Sequence, residues 1–348
     1  MTPGTASEAT LRGLRDQGAL EAIPVSARGA VRITGHASNR RFFRLLLGAG
    51  SGSAILAVYP PDQGEALERQ IRCTRWLQAA GVRVPRVLVQ GPRSVLLEDG
   101  GDDLLSNFGG HSGSRLRYYR QALEAMVQMQ RHAEHAPLPN PEWALDAERL
   151  RAELAFAERH AIAGWLGVGS GSTARGRAFD RLVEAIARLP MAVCHRDFHA
   201  RNLLVFNERI VVLDFQDLMA GPFLYDLASL LWDNYCDPGY PLVSEVLSRF
   251  WHRRAWSLTV DAAAAIPTLP PGLPPAARQA FCLVGLQRSI KALGTFGYQV
   301  SVAGNAGYAR YVPRTWRHVQ TAANALGWED LLAAMPDFDQ ACISQRGA

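Results

Sequence analysis

His195-Arg-Asp-Phe-His-Ala-Arg-Asn202 is followed by Val211-Val-Leu-Asp-Phe-Gln-Asp217. An acid, an amide five residues later, and a second acid closing an apolar run are the parts needed to move a phosphoryl group from a nucleotide to a hydroxyl. That reaction asks for little covalent chemistry. It asks that the acceptor oxygen be aligned and the developing negative charge be spread. Asp197 suits the first task, because a carboxylate can hold an acceptor hydroxyl and take its proton late. Asn202 and Asp214 suit the second. Magnesium prefers hard oxygen ligands and keeps several waters, so one amide oxygen and one carboxylate suffice beside the phosphates. Met191–Cys194 and Ile210–Leu213 are short apolar runs that read as strands on either side of the loop. They are expected to bring Asp197 and Asp214 close together. Taken singly, each of the three is equally an ordinary turn residue; their combination at this spacing is what points to chemistry.

The flanks extend the reading. Gly221 to Leu231 reads as a turn followed by a helix, where Asp226 can cap the helix and also brace the backbone of the catalytic loop. His195 belongs to the same supporting set. His199, two residues after Asp197, is expected to order the loop rather than shuttle protons.

Toward the N-terminus, Leu11, Leu14, Leu20 and Ile23 suit a short leading helix within residues 1–27. Val31–Gly35, Arg41–Leu47 and Ser53–Tyr59 read as strands. The polar connection His36-Ala-Ser-Asn-Arg40 could cover a triphosphate with backbone N–H groups, which makes Ser38 and Asn39 nucleotide-side candidates; an ordinary hairpin turn is the alternative. Gly64–Ala80 has helical periodicity, and Arg86–Val89 and Ser94–Leu97 are two further strands. From Asp102 onward the pattern is mostly helical, with helices over 115–135, 142–160 and 179–189, near 239–256, and over 276–296 and 308–326. Ala163–Arg177 reads as a loop. The fold class is therefore α+β, with a β-rich N-terminal lobe over 28–99 and a larger helical lobe over 100–348.

Composition narrows the function. With 348 residues, 48% of them apolar, a sizeable core is available. No run approaches the about 18 apolar residues of a membrane span, and the start lacks a basic segment leading into an apolar one. Five scattered cysteines form no Cys-x-x-Cys pair, so neither zinc nor a disulfide framework is suggested. The expectation is a cytoplasmic enzyme. Net charge is +5, and Lys291 is the sole lysine among 37 basic side chains. The arginines are spread along the chain, which argues against a nucleic-acid patch and suits a protein handling nucleotide phosphates.

These residues resemble the aminoglycoside-phosphotransferase/choline-kinase superfamily, whose fold is a two-lobed relative of the protein kinases. The resemblance runs from about residue 28 to 330 and is carried by 195–202, Asp214-Phe-Gln-Asp217 and Gly221-Pro-x-x-Tyr-Asp-Leu227. Arg40-Arg-Phe-Phe-Arg44, Asp214–Asp217 and Leu286-Gln-Arg-x-x-Lys-x-Leu-Gly-x-Phe296 are most similar to one branch, the bacterial anomeric kinases for N-acetylmuramate and N-acetylglucosamine. It implies ATP and Mg2+, with transfer of the γ-phosphate to the C1 hydroxyl of an amino sugar during cell-wall recycling. It also implies a hinge where backbone groups near Glu98 and Asp99 meet the adenine edge.

The third strand of such kinases carries a base for the nucleotide phosphates. Here it reads Ala54-Ile-Leu-Ala-Val-Tyr59, with none. Arg41 or Arg44 is expected to take over; they point to opposite faces, so one reaches the phosphates and the other forms an ion pair. Glu65 and Glu68, on the following helix, could pair with the phosphate-side arginine or simply line a solvated helix face. On the acceptor side, Gln287 and Lys291 share a helix face, and Arg288 or Lys291 could meet the lactyl carboxylate of N-acetylmuramate. Arg201 and Gln216 could hydrogen-bond sugar hydroxyls, and Asp217 could touch the sugar or a second metal. Two other readings stay open: a kinase of another small alcohol, such as an aminoglycoside or choline, and a nucleotide-binding pseudokinase, which the empty third strand would suit.

Overall fold

The computed structural model describes residues 8–16, 27–33, 40–48, 52–109, 112–254 and 274–339. It opens with α1 (Glu8–Asp16), β1 (Ala27–Ile33), β2 (Arg41–Leu47), β3 (Ser53–Val58), α2 (Gly64–Ala79), β4 (Val87–Gln90) and β5 (Ser94–Glu98). The strands form one sheet in the order β1-β2-β3-β5-β4, antiparallel throughout. Period two sorts its faces. Phe43, Leu45, Ala54, Leu56 and Val58 pack with Leu11 and Leu14 of α1. Ala57 and Tyr59 pack with Leu67 and Ile71 of α2. A strand covered on both faces has no room for a solvated side chain, which is why β3 reads as an unbroken apolar run. Leu45 and Leu56 are fully buried, worth about 2 kcal/mol each.

The chain continues through α3 (Ser112–His132) and α4 (Ala147–Ala157). Asp146 caps α4 by accepting the Arg149 N–H at 2.9 Å. The helix runs on as a π-helical segment, Glu158–Trp165. The loop expected over Ala163–Arg177 therefore shrinks to 166–172. Buried Ile162 and Trp165 keep the first helix going, and Ser172 caps α5 (Thr173–Ala187). Next come β6 (Met191–Cys194), β7 (Leu203–Phe206), β8 (Arg209–Val212), β9 (Met219–Pro222), α6 (Tyr225–Leu231), α7 (Tyr240–Arg254), α8 (Pro275–Ser301), α9 (Val312–Leu326) and α10 (Glu329–Ala334). A 3-10 turn, Ala306–Tyr311, precedes α9.

Contacts divide the chain into two units, Met1–Leu104 with Leu203–Asp217, and Leu105–Asn202 with Leu218–Ala348. The strands flanking the loop accordingly sit in separate ribbons: β6 pairs with β9, and β8 pairs with β7. The sequence grouped 203–217 with the helical lobe. In the structure this hairpin joins the N-terminal unit, because Val205 N–H donates to Asp103 O (2.7 Å) and Val212 N–H donates to Arg83 O (2.9 Å). Asn207 and Glu208 turn it with positive φ at both positions, the twist a two-residue hairpin needs.

Within the helical unit, Gly294 and Gly297 let α8 lie against α4 and the π-helical segment. A Cβ there would come within 2.6 Å of Ala157 Cα and 2.5 Å of Ala161 Cα. That closeness fixes where α8 presents Gln287 and Lys291. Among the described residues no helix is long and apolar enough to cross a membrane.

Candidate active site

The loop after β6 is held from one side by α6 and the turn behind it. Asp226 accepts the N–H groups of His195 (2.7 Å) and Arg196 (3.0 Å), and Ser229 Oγ donates to Arg196 O (3.2 Å). Asp233, not singled out in the sequence, accepts the N–H groups of Ala200 (2.8 Å) and Tyr235 (2.7 Å). Both carboxylates are buried. Burial raises the Asp226 carboxyl above its ordinary range, opposed by His195 and the two backbone donors. These braces hold Arg196 at φ +77°, a left-handed conformation costing about 1–3 kcal/mol in a non-glycine residue. The His195 ring packs edge-on against Phe198, 5.5 Å between centroids. His199 packs edge-on against Tyr235, and burial pushes its imidazole down to about 4, so it is neutral near pH 7.

Asp197 points into a cationic corner. Lys291 Nζ lies 3.3 Å from its Oδ1. Burial alone would raise this carboxyl, but the cations led by Lys291, with Arg288 and Arg196, hold it far below the usual carboxylate range. Behind them stands Glu153 of α4, a residue the sequence reading missed. It accepts from Arg196 Nη2 (2.8 Å) and Gln287 Nε2 (2.9 Å) and lies 4.0 Å from Lys291 Nζ. Glu153 thus ties the strained loop residue to α8. Its one sequence signal was an acid between Leu150 and Leu154 on a buried helix face. Arg288 is buried to 5% exposure, and its Nε has no hydrogen-bond partner. Its charge is met by the carboxylates of Asp197 and Asp226.

Asn202 closes the loop. Its Nδ2 donates to Asp197 O at 2.9 Å, which orients the amide and leaves Oδ1 as its remaining acceptor. Asp214 sits in the other unit, two residues beyond β8. It is exposed and left-handed, with φ +57°. Gln216 Nε2 (3.0 Å) and Arg40 Nη2 (3.5 Å) both reach its Oδ1. The described residues contain no cluster of three His, Cys, Asp or Glu able to hold a metal. Asn202 in its unit and Asp214 in the other each present a hard oxygen of the kind magnesium takes.

Residues 29–262 match the phosphotransferase enzyme family. An N-acetylmuramate/N-acetylglucosamine kinase from Pseudomonas aeruginosa is 32% identical over 321 residues, covering 88% of each chain. The chain belongs to the phosphotransferase enzyme family. Among solved structures, a thermostable mutant of aminoglycoside phosphotransferase APH(4)-Ia matches with TM-score 0.57 at 18% identity, over 90% of this chain and 99% of that one. A choline/ethanolamine kinase family protein from Mesorhizobium loti matches with TM-score 0.57 at 17% identity, over 92% and 97%. At such identities the likeness shows the fold alone, an α+β, protein-kinase-like one.

The remaining residues of this phosphotransferase fall into place unevenly. Ser38 and Asn39 lie outside the described residues. Arg44 is taken up by Asp99 (2.6 Å) and Asp102 (2.8 Å), the ion pair expected of one of the two arginines. Asp99 also accepts from Ser53 Oγ (2.6 Å) and Gly101 N–H (2.9 Å), so its side chain locks the turn after β5. Glu98 carries Arg83 and Arg86 on its carboxylate, and its N–H donates to Arg86 O within the sheet. Arg41 is exposed on the opposite face of β2. Glu65 pairs with Arg69, and Glu68 accepts from Gln90; neither meets Arg41 or Arg44. Gln216, expected near sugar hydroxyls, donates its Nε2 to Asp214, and Asp217 is half-buried at the end of the hairpin unit. Arg201 lies over the rings of Tyr235 (4.7 Å) and Tyr311 (5.9 Å). Tyr308 and Tyr311 extend this aromatic wall beside the loop. The sequence reading passed over both as the start of the helix expected over 308–326.

Proposed function

We propose that this phosphotransferase is an ATP-dependent kinase of amino sugars, placing the γ-phosphate on the C1 hydroxyl of N-acetylmuramate or N-acetylglucosamine. The observation that carries the reading is Asp197, presented by a doubly braced loop and fixed by Lys291. Asp197 holds the acceptor hydroxyl and receives its proton as the bond to phosphorus forms. The braces set its position before substrate arrives, so little reorganisation is left for the reaction itself. Asn202 and Asp214 hold the metal. Magnesium, when bound, supplies neutralisation of the phosphate charge.

Arg288 meets an anionic group of the acceptor, such as the lactyl carboxylate of N-acetylmuramate. Tyr308, Tyr311 and Arg201 offer a face against which a pyranose ring packs. The cations around Asp197 disfavour aminoglycoside or choline acceptors, which are cationic and call for acidic or aromatic pockets. A role in cell-wall recycling in the cytoplasm follows from the acceptor. The test is a phosphorus-31 spectrum of the product formed from N-acetylmuramate and ATP with magnesium. The expected signal is a sugar 1-phosphate, split by the anomeric proton. Phosphate on C6 would move the site of transfer. Bound ATP without turnover on any sugar would favour a nucleotide-binding module.

A further inference from the structure

We infer that Arg40 supplies the cation for the nucleotide phosphates that the third strand lacks; this rests on the kinase reading above. Arg40 stands immediately before β2. Two residues separate it from Phe42, so strand alternation puts both on the face that α2 covers. The structure places the guanidinium there, over Phe42 (5.5 Å) and Tyr59 (5.9 Å). The two rings lie within cation–π range and the guanidinium donates a hydrogen bond to the Tyr59 hydroxyl, which positions the cation without neutralising it. Its Nη2 is directed at Asp214, the proposed metal ligand, at 3.5 Å.

That ion pair is a loose one. The distance is at the limit of a hydrogen bond, and Asp214 is half exposed, so solvent screens much of the attraction. Arg44, on the same face, is held by two carboxylates at 2.6 and 2.8 Å, while Arg41 points to the other face. Arg40 is thus the basic residue of the 40–44 run that combines a fixed orientation, a weak carboxylate partner and adjacency to the proposed metal ligand. With magnesium nucleotide bound, Asp214 would hold the ion and its charge would no longer face Arg40 alone. The guanidinium then turns its planar pair of donors to phosphate oxygens, an arrangement it matches bidentately. Metal and phosphate binding are coupled through this exchange of counter-ions.

The experiment is calorimetric titration of the wild type, Arg40→Ala and Arg40→Lys with adenosine, with ADP plus magnesium, and with a non-hydrolysable ATP analogue plus magnesium. The expected result is an affinity loss of about tenfold or more for both nucleotides in Arg40→Ala, roughly the worth of charged hydrogen bonds. Arg40→Lys should recover part of it, and adenosine should bind all three proteins alike. Equal nucleotide affinity in Arg40→Ala and wild type would overturn the inference and leave the kinase reading standing. Parallel losses for adenosine and nucleotides would also overturn it, by showing a general defect of the unit. A wild type that binds no adenine nucleotide would sink the kinase reading and the inference with it.

Discussion

The loop at 195–202 and the strip at 214–217 bear the proposed chemistry in different ways. The loop is fastened at nearly every turn: Asp226 and Asp233 take three of its backbone N–H groups, Ser229 donates to Arg196 O, and Glu153 anchors the Arg196 side chain. The strip has one side-chain amide and one distant guanidinium on an exposed carboxylate. Both carry a left-handed non-glycine residue, Arg196 and Asp214, but only the first is surrounded by buried partners that enforce it. A base must be in position before the acceptor arrives. A metal ligand gains its partner with the ion, so the structure leaves it lightly held.

Substitutions can break that contrast. Asp197→Asn removes the proton acceptor while keeping its shape. Turnover should fall about 10²–10⁴-fold with nucleotide affinity little changed; a near-normal kcat would strip Asp197 of its role. Asp226→Ala leaves two buried N–H groups without acceptors and should cost about 3 kcal/mol of stability, read as a clear drop in Tm. Asp214→Asn is the matched control. Asparagine tolerates the left-handed conformation, so stability should shift by no more than about 0.5 kcal/mol while magnesium-dependent turnover is lost. Equal Tm losses in both variants would erase the distinction between fastened loop and open strip.

Much of this was legible in the residues. The strands from Arg41 to Val58 and the helix Gly64–Ala79 declare themselves by period two and period 3.6, because their faces are sorted by local burial. The bracing of the loop by Asp226 followed from an acid placed at a helix start. Glu153 and Asp233 did not follow, since the bonds that tie them to the loop and α8 span 33 to 134 residues and neither carries a local motif. The phosphate-side cation was sought at Arg41 or Arg44 because regular alternation was counted inside the strand. Arg40, just outside it, is placed by contacts with Phe42 and Tyr59, and no one-dimensional pattern encodes that. The hairpin 203–212 was split between a loop and a strand for a similar reason: its bonds to Arg83 and Asp103 cross a hundred residues or more.

Lys291→Met tests what fixes the base. Removing the ammonium leaves Asp197 with fewer opposing cations, so its carboxyl rises from its depressed position. The acidic limb of the kcat–pH profile should move to higher pH. Turnover near neutrality should drop roughly ten- to hundredfold, the worth of a charged hydrogen bond. Loss of acceptor affinity with kcat and its pH profile intact would instead make Lys291 a substrate contact, as its helix position first suggested.

The smallest effect concerns His199 and the fastening itself. Its pKa is pushed down to about 4 by burial, while Asp233 and Asp197 pull upward and Arg288 and His195 push further down. The unfolded chain titrates near 6.5. Above that value both states are neutral, and the loop keeps its full stability. As pH falls from 6.5 toward 4 the unfolded state takes up a proton that the native state refuses, so stability is lost. By about pH 5.5 the loss should be about 1 kcal/mol relative to pH 7. Asp226 works the other way, since a carboxyl raised by burial gains a proton more readily in the native state as acid is added. His318 is likewise pushed down by burial, to about 3; both proteins in a comparison of wild type with His199→Asn retain Asp226 and His318, so those contributions cancel. Denaturant melts at about pH 7 and 5.5 should therefore show the wild type losing more stability than the variant, and identical losses would mean His199 is not held neutral by the braced loop.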